Sequence, residues 1–121
     1  MMSVVLITGC SSGFGMLSAA RLSAAGHTVY ASMRNLQKRE ALLSEVKRRG
    51  GKVKLLKLDV IDNATIDNVM NTIESERGRL DILINNAGYG LGGFFEDVSD
   101  QEFRDQMETN FFGVLEVTRR A

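Results

Sequence analysis

The sequence predicts an α/β fold built on an open parallel sheet. Short, continuous apolar runs of strand length alternate with stretches of helix length along the chain. Each link between successive apolar runs is long enough to hold a crossover helix, which parallel neighbours require. No proline interrupts the helical stretches. A length of 121 residues suits one domain, spanning 1–121, and not two.

The elements come in this order. Val4–Thr8 is an apolar run of the kind covered on both faces of a parallel sheet. Gly13–Ala25 reads as a helix stopped by Gly26, and His27–Ser32 as the second strand. Leu36–Arg49 is a charged helix with Leu36, Leu43 and Val46 on one face, closed by Gly50-Gly51. Val53–Leu58 is the third strand. Asp62 can cap the next helix, in which Ile66, Val69, Met70 and Ile73 keep the i, i+3, i+4, i+7 spacing as far as Gly78. Leu80–Asn85 is the fourth strand, followed by a loop carrying Gly88, Gly90, Gly92 and Gly93. Ser99, with Glu102 three residues on, forms a capping box for a last helix whose apolar stripe is Phe103, Met107, Phe111 and Val114.

Composition narrows the function. Lys+Arg and Asp+Glu both number 15, so net charge points neither to nucleic acid nor to an anionic membrane. No apolar run approaches the ~20 residues of a membrane helix. Met1-Met2-Ser3 runs straight into the first strand, so no cleavable leader is expected. Cys10 is the one cysteine, which excludes an internal disulfide and fits a reducing compartment; cytoplasm is the expected location. His27 is the one histidine and no metal site is expected. Lys47-Arg48-Arg49 reads as a solvated helix end.

The chemistry-bearing feature is the glycine turn Thr8-Gly9-Cys10-Ser11-Ser12-Gly13-Phe14-Gly15, set between a buried strand and a helix start. Such a turn lets the backbone approach a pyrophosphate, while the helix start offers free N–H groups and a positive dipole end. A tight turn without a ligand is the plain alternative, and the strand before it and the helix after it favour the binding reading. At the end of the second strand, where an NAD site places an acid for the ribose 2′-OH, stand Met33 and then Arg34. A guanidinium there suits a 2′-phosphate through paired hydrogen bonds, or else is a solvated charge at a strand end. Asn110 is an amide in mid-helix on an apolar stripe, costly to bury unpaired.

Four blocks together resemble the classical short-chain dehydrogenase/reductase family: the glycine turn; Leu58-Asp59-Val60; Asn85-Asn86-Ala87-Gly88; and Thr109-Asn110-Phe111-Phe112-Gly113. The first block and Val29-Tyr30-Ala31-Ser32-Met33-Arg34 are similar to the 17β-hydroxysteroid and retinol dehydrogenase branch. The resemblance implies a Rossmann-type doubly wound parallel sheet of strand order 3-2-1-4, here truncated after the fourth strand and the following helix. It implies a cofactor site of Gly9, Ser11, Ser12, Gly13, Phe14, Gly15, Arg34, Asp59, Val60, Asn86, Ala87 and Gly88. Within that site Ser12 would lie near the 2′-phosphate, Asp59 would meet the adenine amino edge and Val60 would pack on the ring. NADP(H) is the expected cofactor, with NAD(H) the alternative. Asn110 would kink its helix and hold a water of the proton relay, making it the one catalytic position within the chain. A homo-oligomer is expected, with the last helix at the subunit interface.

The family's chemistry is hydride transfer between nicotinamide and an alcohol or carbonyl carbon, with a serine and a Tyr-x-x-x-Lys pair handling the substrate oxygen. A phenol of ordinary pKa near ~10 needs that lysine to act at neutral pH. Here Tyr30 is followed at the fourth position by Arg34 and Tyr89 by Gly93, so neither fits. The sequence therefore reads as the N-terminal portion of an oxidoreductase, inactive alone. A non-catalytic dinucleotide-binding module or partner subunit is the alternative.

Overall fold

The structure is a computed structural model and describes residues 2–121. Strands β1 (Val4–Ile7), β2 (Thr28–Met33), β3 (Val53–Lys57) and β4 (Ile82–Ile84) alternate with helices α1 (Gly13–Ala24), α2 (Glu40–Arg48) and α3 (Asn63–Arg77); α4 (Asp100–Met107) and α5 (Gly113–Arg120) complete the chain. The sheet is parallel throughout, in the order β3-β2-β1-β4. This is the doubly wound arrangement expected from the sequence.

Strand alternation divides the core in two. Val5 and Ile7 of β1 point to the face covered by α1 and α2, where they meet Ala19, Ala20, Leu42 and Val46. Val4 and Leu6 point to the opposite face and meet Ile66, Val69 and Ile73 of α3 and Val117 of α5. All four β1 residues are therefore buried, which explains an unbroken apolar run in place of an alternating one. The small residues of α1 let that helix lie close to the sheet. β1 is held at its start as well: the Asp81 carboxylate accepts from Val4 N at 2.7 Å and from Arg79 Nε at 3.1 Å.

Two elements differ from expectation, and the last helix carries a break where the resemblance implies a kink at Asn110. The charged stretch after β2 is two pieces, a 3₁₀ turn at Leu36–Lys38 capped by the Asn35 side chain and then α2 from Glu40. The break shifts the helical phase, so Leu42 is buried in place of Leu43, which is 38% exposed. β4 is three residues long, not six; Asp81 and Asn85, which flank it, bond Val4 N and Thr118 Oγ1 through their side chains. The last helix is interrupted at Glu108–Phe112 by a wide turn in which Gly113 N reaches back five residues to Glu108 O. The capping box at Ser99 and Glu102 is present, and so is the Asp62 cap, which accepts from Ala64 N. Among the described residues no helix is long and apolar enough to cross a membrane.

Candidate functional site

The chain winds outward from β1 to β2 and β3, then returns to the other side of β1 for β4. Connections leaving β1 and β4 therefore diverge, and a crevice opens beyond the C-terminal ends of the strands. Its volume is about 610 Å3. Gly9, Ser11 and Ser12 line it after β1, Met33 and Arg34 at the end of β2, Leu58 to Ile61 after β3, and Asn86 to Tyr89 after β4. Thr109, in the wide turn, completes the lining.

The floor is rigid because the β1 and β4 loops are locked together. Thr8 Oγ1 accepts from both Asn86 N and Ala87 N at 3.0 Å. The Asn86 amide nitrogen donates to Thr8 O at 3.1 Å and Gly9 O at 2.9 Å. Gly9 has φ +69°, and a Cβ there would stand 2.8 Å from Ala87 Cα. A Cβ on Gly15 would stand 2.4 Å from both Gly9 O and Asn86 Nδ2, so only glycine lets α1 begin this close to the turn. On the other side Cys10 N donates to Ser32 O at 2.9 Å and Ser32 Oγ to Ile7 O at 3.0 Å. Ser12, the residue before α1, makes no side-chain bond to the first helical turn, which leaves those amides for a ligand.

The acid and the arginine differ in how firmly they are held. Asp59 N donates to Thr65 Oγ1 at 2.9 Å, and one Asp59 carboxylate oxygen accepts from Ile61 N at 3.2 Å. Arg34 is exposed, and among the described residues no carboxylate pairs with it. Asn110 does not line the crevice. Its Oδ1 accepts from Tyr89 N at 3.0 Å and its Nδ2 donates to Tyr89 O at 2.6 Å, so one amide grips both polar groups of a single loop residue. Gln106 Nε2 also reaches Tyr89 O, at 3.3 Å. The wide turn is what aims Asn110 at this loop, and the amide is exposed rather than buried on the apolar stripe. Cys10 is buried, donates to Ile7 O at 3.3 Å and has its thiol pushed up to about 12 by burial, so it offers no nucleophile. His27 Nδ1 accepts from Ser3 N at 3.1 Å, and among the described residues no cluster of three metal-ligating side chains occurs.

Nine of the twelve cofactor residues expected from the sequence thus share one crevice: Gly9, Ser11, Ser12, Arg34, Asp59, Val60, Asn86, Ala87 and Gly88. Gly13, Phe14 and Gly15 lie in the first turn of α1 outside the lining; Phe14 is 85% exposed and Gly15 is buried beneath the turn. Leu58, Ile61, Tyr89 and Thr109 were not anticipated, although each is in or adjoins one of the four motif blocks. The donor set suits a dinucleotide: hydroxyls and uncapped amides at one wall, a free guanidinium at the β2 end, apolar side chains beside a carboxylate at the β3 end.

A family model for short chain dehydrogenase matches residues 3–121. The chain belongs to the short-chain dehydrogenase family. The sequence is 41% identical over 116 residues to a 3-ketodihydrosphingosine reductase of Bacteroides thetaiotaomicron, matching 96% of this chain and 39% of the relative. It is 38% identical over 116 residues to an NADPH-dependent pterin aldehyde reductase of Arabidopsis thaliana, matching 95% of this chain and 48% of that one. The crystal structure of an actinorhodin polyketide ketoreductase with NADPH superposes with a TM-score of 0.89 at 31% identity, over 98% of this chain and 46% of the other. The chain spans less than half the length of each of these dehydrogenase-family proteins.

Proposed function

We propose that residues 1–121 form an NADP(H)-binding domain of a short-chain oxidoreductase that interconverts an alcohol and a carbonyl. The observation that carries this reading is the locked glycine turn: uncapped amides at the start of α1 stand beside a crevice whose β2 wall ends in an unpaired arginine. The NADPH named for one relative and one structural neighbour supports the cofactor choice.

In this reading the main-chain amides of Gly9 to Gly15, with Ser11, hold the pyrophosphate; Gly13, Phe14 and Gly15 contribute backbone only. Ser12 and Arg34 hold the ribose 2′-phosphate. Asp59 accepts from the adenine amino group while Val60 forms an apolar wall for the ring. Asn86, Ala87 and Gly88 border the remainder of the cofactor, and their fixed geometry keeps it from shifting. Asn110 acts by holding Tyr89, and so fixes the loop that closes this end of the crevice. The nicotinamide, when bound, supplies or accepts the hydride. Tyr30 is buried and donates to Glu76 at 2.6 Å, and Tyr89 has glycine where a catalytic pair needs lysine. Proton transfer to the substrate oxygen is therefore assigned to groups outside residues 1–121. The single buried cysteine supports a reducing, cytoplasmic setting. A homo-oligomer is supported by the half-exposed Met107, Phe111, Phe112 and Leu115 on the last helical segments.

The test is calorimetric titration of the 121-residue chain with NADP+ and NAD+, together with a turnover assay on simple ketones. The expected result is NADP+ binding at least tenfold tighter than NAD+, with no turnover. Absence of binding to both, or ketone-dependent NADPH oxidation by this chain alone, contradicts the reading.

A further inference from the structure

Gly113 is a helical glycine with no left-handed backbone and no loop to close. A Cβ built on it would stand 2.6 Å from Val60 Cγ2, 2.8 Å from Val60 Cβ and 3.3 Å from Glu108 O. Carbon atoms in contact prefer about 3.5–4.0 Å, so a single methyl does not fit. The wide turn at Glu108–Phe112, through its five-residue bond from Gly113 N to Glu108 O, sets the helix backbone against the valine.

The backbones on both sides of this contact are held, so a clash can be relieved only by the Val60 side chain moving. Val60 is β-branched and therefore stiff about its first torsion. Its backbone is the second residue of a tight turn in which Asp62 N donates to Asp59 O at 2.9 Å, and Thr65 holds Asp59 N. α5 is anchored by the buried Val117 and by Arg120, whose Nε donates to Asp67 at 2.7 Å. Val60 also lines the crevice, so the residue that meets the Gly113 backbone also borders the space given to the adenine ring.

We infer that Gly113 is a positioning residue for cofactor binding: its missing side chain lets Val60 sit back far enough to leave the adenine end of the crevice open. The inference rests on reading the crevice as a dinucleotide site. A methyl at 113 pushes Val60 into that space while leaving the glycine turn and Arg34 untouched. Alanine is otherwise the better helix former, so helix propensity alone works against a loss.

The experiment measures binding of ADP-ribose and its 2′-phosphate to the parent protein, Gly113→Ala, Val60→Ala and the double variant, with thermal unfolding of each. Gly113→Ala is expected to weaken binding about tenfold in the parent background and less than about twofold in the Val60→Ala background. A role limited to helix stability gives equal effects in both backgrounds, and that result overturns the inference. Methyl NMR of the parent protein gives a readout without substitution: the Val60 Cγ2 methyl should show contact with the Gly113 Hα and shift when ADP-ribose is added. A methyl that does not shift while the probe binds also overturns it. If the parent protein binds neither probe, the cofactor reading itself fails and the inference falls with it. If it binds and Gly113→Ala binds equally well, the role of Gly113 alone fails.

Discussion

Among the described residues no carboxylate pairs with Arg34 at the end of β2, which is what the proposed role in cofactor choice rests on. A guanidinium with no carboxylate partner keeps its hydrogen-bond fork for an incoming phosphate, and a charged hydrogen bond of this kind contributes about 1.5–3 kcal/mol. Arg34→Asp should therefore lower the NADP+ to NAD+ affinity ratio at least tenfold, read by parallel titrations; an unchanged ratio would remove Arg34 from the site. Asn110 shows where single residues are hard to read. Its type and spacing mark it as unusual, and the family resemblance implies a kink there, but neither says which groups its amide meets. Only the wide turn reveals that both ends of its amide are spent on Tyr89. Asn86 is similar: the motif marks it as cofactor-adjacent, while its amide is occupied in tying Thr8 and Gly9 to the β4 loop. Which side chain a polar residue bonds is a tertiary fact, and no local spacing carries it.

Strands and caps are legible because their signals are local. β1 reads as a continuous apolar run because α1 and α2 cover one face and α3 and α5 the other, and Asp62 and Ser99 cap as their residue types predict. The stretch after β2 departs from its sequence reading because periodicity assumes one continuous helix, whereas a short 3₁₀ turn shifts the phase of the residues from Glu40 onward. The two leucines of α2 separate these readings. Leu42→Ala should cost about 2–5 kcal/mol, as for other fully buried leucines, and Leu43→Ala less than about 1 kcal/mol. Chemical denaturation of the two variants checks this. A larger loss at Leu43 would mean that the phase assigned to α2 is wrong. The break in the last helix falls at Asn110, where the family resemblance implies a kink, although its apolar spacing alone gives no sign of a five-residue hydrogen bond.

Across the molecule the apolar surface is distributed unevenly. Ile82 on the edge strand is 41% exposed, and Met107, Phe111, Phe112 and Leu115 are exposed on the last helical segments, whereas the β1 and β2 surfaces are sealed. An exposed strand edge and apolar helix face of this kind favour association. Acid sensitivity is also a property of the whole. The Asp81 carboxyl is held below its usual range by the Val4 amide and Arg79, Glu76 by Lys54 and Tyr30, and Glu102 by the Ser99 amide and hydroxyl. Glu45 is lowered to about 2 by Arg48 and Arg49. Groups depressed in the folded state contribute stability above their unfolded pKa and lose it as pH falls through the folded one. For Glu45 that window runs from 4.5 down to about 2. The unfolding temperature should thus decline as pH drops through this range, and Asp81→Asn should make the decline shallower; an unchanged slope would show that the Val4 and Arg79 contacts do not bear on folding. The reading of function depends above all on where the nucleotide sits. Amide hydrogen exchange of the chain with and without saturating NADP+ resolves that residue by residue. Slowed exchange centred on Gly9 to Gly15 is the predicted outcome, and bound cofactor with exchange there unaltered would contradict the account.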